Sequence, residues 1–77
     1  MADTTSNGYQ LRWTTVPSAS TYEVLRCPTA HLSNCNAISQ ASSTAYTLMV
    51  RQNHWYVVRA RGANGQVLVV SNFLGPM

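Results

Sequence analysis

Residues 9–16, Tyr-Gln-Leu-Arg-Trp-Thr-Thr-Val, place Tyr9, Leu11 and Trp13 on one parity and Gln10, Arg12 and Thr14 on the other. Strict alternation of this kind predicts a strand with one face buried and one wet. Pro17-Ser-Ala-Ser20 interrupts it as a turn. Thr21–Arg26 then resumes the period, with Tyr22 and Val24 predicted inward and Glu23 and Leu25 outward. Residues 36–47 are small and polar and read as a short edge strand, a crossover and a strand centred on Tyr46 and Leu48. His54–Arg61 is β-branched and aromatic, with Tyr56, Val58 and Ala60 predicted inward. Gly62-Ala-Asn-Gly65 supplies the Asn-Gly step of a hairpin turn. The last strand, Val67–Phe73, is apolar on both parities and stops before Gly75-Pro76. No apolar stripe at helical spacing persists anywhere. Several short strands separated by turn signals predict an all-β protein, a small antiparallel β-sandwich.

Length and composition narrow the class. The 77 residues suffice for a single domain over 9–77, preceded by a polar leader over 1–8 that carries no strand pattern. A domain of this size buries only roughly 60% of its unfolded-chain surface, so its stability is marginal without a staple. Charged residues make up 9% of the chain, against about 25% in ordinary globular proteins. A surface so poor in charge suits a secreted module or an assembled subunit better than a free cytosolic monomer. The net charge of +3 comes from arginines alone among the basic residues, opposed by Asp3 and Glu23. Arg12, Arg26, Arg51, Arg59 and Arg61 are dispersed rather than clustered on one stripe, which argues against a nucleic-acid partner. No apolar run reaches the ~20 residues that span a bilayer, so no membrane insertion is expected. Residues 1–8 lack the basic and apolar regions of a signal peptide, so an exported protein would carry this chain in mature form.

Cys27 and Cys35 bracket a segment containing Pro28 and Asn34, residue types that let a loop fold back. A disulfide is the natural reading, and closing so short a loop stabilises a fold by about 2–3 kcal/mol. A zinc site completed by His31 and His54, or two buried free thiols, are the competing readings.

Trp13-Thr-Thr-Val-Pro17-Ser-Ala19-Ser-Thr-Tyr22-Glu-Val24-Leu-Arg26 resembles the second and third strands of fibronectin type III domains, bacterial ones above all. Tyr56-x-Val58-x-Ala60, then Gly65 and Ser71-Asn72, resembles the family's last hairpin. The likeness covers about residues 9–73 and implies an immunoglobulin-like sandwich in which Leu11, Trp13, Tyr22, Val24, Tyr46, Leu48, Tyr56, Val58 and Ala60 form the core between the sheets. Three departures stand out. His54 occupies the place of the tyrosine whose hydroxyl ties the penultimate strand to the preceding loop. The cysteine loop is an addition. The family's first strand is absent or very short, since only the polar leader precedes the Trp13 strand. Arg61-Gly62-Ala63 sits where some members carry an integrin-binding Arg-Gly-Asp, and Ala63 lacks the carboxylate that such binding needs.

Catalytic chemistry is sparse. The carboxylates are Asp3, in the leader, and Glu23; the only nucleophile arrangement, Cys27 or Cys35 with His31, requires free thiols; and no phosphate loop, paired-histidine metal motif or serine elbow occurs. A non-enzymatic role without catalytic residues, metal or cofactor is therefore expected. The expected contact surface is the outer face formed by Leu25, Trp55, Val57 and Arg59 with Val67 and Val69 of the last strand, residue types found at interface hot spots. A missing first strand would also leave the Trp13 strand unpaired along one edge, an invitation to strand addition. These features point to a secreted or cell-envelope module that binds a protein partner or itself, as a homo-oligomer or fibre. Polysaccharide binding is the alternative, with Trp55 stacking on a sugar and Tyr9, His31 or Arg59 donating hydrogen bonds. A passive spacer in a longer secreted protein is a third reading.

Overall fold

The computed structural model describes residues 5–7, 10–47 and 53–76. Seven strands follow one another: β1 (Thr5–Asn7), β2 (Gln10–Arg12), β3 (Thr21–Cys27), β4 (Asn36–Ala41), β5 (Ala45–Thr47), β6 (Trp55–Arg61) and β7 (Val67–Val70). They form two antiparallel sheets, a three-stranded one in the order β1-β2-β5 and a four-stranded one in the order β4-β3-β6-β7. The expected all-β sandwich is what the chain builds.

The core between the sheets is Leu11 and Trp13 from the first sheet against Tyr22, Val24, Tyr56, Val58 and Ala60 from the second. Tyr46 and Ile38 pack against it, half-buried. The alternation of β2, β3 and β6 therefore translates directly into the buried layer. Leu48 and Tyr9 lie outside the described residues. The Trp13 and Tyr22 rings meet at 5.8 Å in a tilted arrangement, and the Trp13 backbone N–H donates to the Thr44 carbonyl just past the end of β2.

The connection from β2 to β3 is a turn closed by Ala19 N–H on the Val16 carbonyl, with Pro17 and a left-handed Ser18 (φ 71°) in its central positions. Pro at the first central position and positive φ at the second are the marks of a type II turn. The Tyr22 hydroxyl accepts a hydrogen bond from Val16 N–H at 2.9 Å, tying β3 to the turn that precedes it. A tyrosine latch thus exists, on β3 rather than at His54.

One expectation is corrected. The first strand is very short rather than absent: Thr5, Ser6 and Asn7 pair with Arg12, Leu11 and Gln10. Residues 5–7 accordingly belong to the sandwich rather than to a leader. With β5 on its other side, β2 is an interior strand, and the Trp13 strand offers no free edge. Three polar residues held by backbone pairing carry no apolar alternation, so the pattern that revealed the other strands was silent here.

Candidate functional site

The six residues expected to share one contact face separate into three environments. Residues directly opposite in an antiparallel pair project on the same face, so the outer face of the four-stranded sheet is written in its register: Cys27 beside Trp55, Leu25 beside Val57, Glu23 beside Arg59, Thr21 beside Arg61.

Leu25 and Val57 are not exposed. Their relative accessibilities are 5% and 0%, and with fully buried Cys27 they form a second hydrophobic cluster against which Cys35, Trp55, Val70 and Phe73 pack. The Cys27–Cys35 disulfide closes the loop over 28–34, which brings Cys35 onto one end of this cluster. From the other side comes the segment after β7. Leu74 exchanges two backbone hydrogen bonds with Tyr56, both at 2.8 Å, and in doing so sets Phe73 on the outer cluster and Leu74 on the core between the sheets. The expectation of an open face around Leu25, Trp55 and Val57 is thus corrected, because the chain covers that face itself.

Arg59 is committed too. Its Nε donates to Glu23 Oε1 at 2.7 Å and its Nη2 binds the same oxygen, while Arg61 Nε approaches it at 3.2 Å. Arg61 Nη1 donates to the Gly65 carbonyl at 2.6 Å, bracing the hairpin turn in which Gly65 adopts φ 81°. Burial pushes the Glu23 carboxyl up, but the hydrogen bonds and charges of Arg59 and Arg61 outweigh it, and the group titrates below its ordinary value.

Val67 and Val69 are exposed, as expected, but they do not share a face. Val69 pairs with Ala60 and Val67 with Arg61, and the register shift between Ala60 and Arg61 leaves Leu68 as the extra residue of β7. Such a bulge reverses the parity of the strand on either side of it. Val67 therefore lies on the outer face and Val69 on the core side, outside the buried cluster. Their accessibilities are 44% and 36%, with Leu68 at 38%.

β7 is also a terminal strand of its sheet. Ser71 N–H donates inward to the Val58 carbonyl, and the Ser71 hydroxyl accepts from Val58 N–H, both at 2.8 Å. Because backbone groups alternate in direction along a strand, Val70 turns its N–H and C=O away from β6, toward the open edge. No charged side chain occurs from Gly62 to Met77. The site that emerges is an uncharged apolar strand edge, with exposed Val67, Leu68 and Val69 beside backbone groups that are unpaired among the described residues.

The remaining candidates are dispersed. His31 is exposed on the disulfide loop beside Leu32, the most exposed large apolar residue among those described at 57%. Trp55 is half-buried against the outer cluster, and Tyr9 is outside the described residues. Of the residues named for sugar binding, Trp55 thus packs against the cluster rather than standing free, and Arg59 is held by Glu23. Leu68 and Leu32 were not singled out from the sequence; the run Val67-Leu-Val-Val70 between turn residues was the available signal for the first, and the loop between the cysteines for the second. Comparison of the chain with family models, curated proteins and solved structures returned no match.

Proposed function

We propose that the chain is a non-catalytic interaction module of fibronectin type III-like build, acting outside the reducing cytoplasm, whose binding element is the free edge of β7. The observation that carries this reading is the exposed apolar strand at the end of a four-stranded sheet, with no charge and no proline within it. Natural proteins blunt unused edges with lysine, proline, a bulge or a covering loop. Among the described residues β7 has a single bulge and none of the other devices, whereas a strand-addition site needs the backbone open and apolar side chains beside it.

Two further features support the family and the location. The seven-strand arrangement has the plan of an immunoglobulin-like sandwich, except that β4 lies beside β3 rather than beside β5, the position of the fourth strand in immunoglobulin constant domains. A disulfide that closes over a buried cluster is the kind of crosslink that persists in an oxidising compartment.

Selection of displayed extended peptides against the folded, oxidised protein tests the reading. Apolar strand-forming peptides should be enriched on the native chain and lost with Val69→Lys, which places a charge at an exposed edge position. Equal enrichment on both proteins, with the fold of each intact, would sink it.

A further inference from the structure

We infer that the strand occupying the β7 edge is β7 of a second copy of this chain, aligned antiparallel across a two-fold axis so that two four-stranded sheets become one of eight strands. The inference rests on the reading of β7 as the binding element and adds the identity of its partner.

Charge placement is the first argument. A chain with net charge +3 repels its own copies unless they meet where the charge is absent, and like charges directly opposite in a strand pair are destabilising. The uncharged stretch from Gly62 to Met77 contains the whole of β7. The nearest cations, Arg59 and Arg61, are turned onto Glu23. Two copies can therefore pair along β7 with no ion facing another. The same neutrality gives a charged foreign partner nothing to recognise on this edge.

Self-complementarity is the second argument. In an antiparallel pairing centred on Val69, that residue meets its own counterpart and the flanking apolar residues of each strand run beside those of the other. The interface uses the same patch on both copies, as two-fold contacts require. A closed pair follows, rather than a fibre, because propagation would need the opposite edge of the sheet. That edge is β4, and it does not match: Asn36, Ser39 and Gln40 are polar, Ala37 and Ala41 are small, and the register shift opposite Val24 and Leu25 leaves Ile38 as an extra residue that packs inward. An edge that exposes no large apolar side chain is a poor acceptor for an apolar strand. With four residues in β7, the pairing is short, which sets the expected affinity in the weak range, roughly micromolar to millimolar.

Sedimentation velocity of the full oxidised chain across that concentration range tests the inference. The expected result is a reversible monomer–dimer equilibrium that stops at two, is not weakened by added salt, and is weakened at least about tenfold by Val69→Lys. Leu32→Lys, at the other exposed apolar position, should leave it unchanged. Should Val69→Lys disturb the near-ultraviolet circular dichroism, Val67→Lys, at the more exposed site, carries the same test. A strict monomer up to about millimolar concentration, a dimer indifferent to both edge variants, a dimer dissolved by salt, or growth into longer assemblies would each overturn it. A strict monomer that still selects β7-dependent peptides removes the second copy as partner and leaves β7 as the binding element; a monomer that selects none removes both.

Discussion

The two faces of the four-stranded sheet are both buried at their centre, but by different means. The inner face, with Tyr22, Val24, Tyr56, Val58 and Ala60, is covered by another sheet. The outer face, with Leu25, Cys27 and Val57, is covered by Cys35 of the disulfide loop, by Trp55 and by the segment carrying Phe73. The inner cover is a layer of secondary structure, built from paired strands; the outer cover is assembled from a crosslink and a tail. The outer layer also ends sooner, giving way at Glu23, Arg59 and Arg61 to an ion cluster. A domain too small to place a second layer on both sides of a sheet can still bury both faces, provided that a covalent bond holds part of the cover in place.

Leu11→Ala tests the inner face and has the largest expected effect. Truncating a fully buried leucine costs about 3 kcal/mol, a large part of the roughly 4–12 kcal/mol expected for a domain of this length. Thermal unfolding should show the midpoint falling by more than about 10 °C. Loss of the disulfide through Cys27→Ser with Cys35→Ser comes next, at about 2–3 kcal/mol by denaturant titration. It should also couple to the outer cluster. Leu25→Ala should cost about 2 kcal/mol in the oxidised protein and clearly less once the crosslink is gone, because the cover has already loosened. Simple additivity would break the comparison by showing that the loop does not protect Leu25. The smallest effect belongs to the ion cluster. Glu23 titrates low in the folded protein, so its contribution is fully present above the ordinary glutamate value of 4.5 and is lost as pH falls through the depressed folded value. Glu23→Gln should remove this portion of the acid limb and, with the pair partly solvated, cost under about 1 kcal/mol near neutral pH. A wild-type stability profile parallel to that of the variant below pH 4.5 would show that the arginines do not hold this carboxylate.

Alternation made the inner layer legible because each of β2, β3 and β6 sends every second side chain into it. It could not report on the other parity. A strand with one face in water and a strand covered on both faces carry the same inward residues, and only the outward ones differ. The available signal was the unbroken apolar run Trp55-Tyr-Val-Val58 together with adjacent Val24 and Leu25, since strands buried on both faces read as continuous rather than alternating. β1 was hidden for a different reason: Thr5–Asn7 contributes backbone pairing, which leaves no mark in hydropathy. The bulge at Leu68 was hidden because Val67–Val70 is apolar at every position, so a change of parity alters no pattern. The pairing of Glu23 with Arg59 and Arg61 depends on register between strands far apart in the chain, which composition does not encode.

The double burial of β3 and β6 also sets an order of opening. Local unfolding begins where strands are short and covered on one side, and the three-stranded sheet consists of strands of three residues each. The amides at the centres of β3 and β6, such as those of Val24 and Val58, sit between two hydrophobic layers and would surrender their protons to exchange only in the global transition. The protein would thus fray one sheet at a time, and the sheet that persists longest is the one that carries the exposed apolar edge of β7.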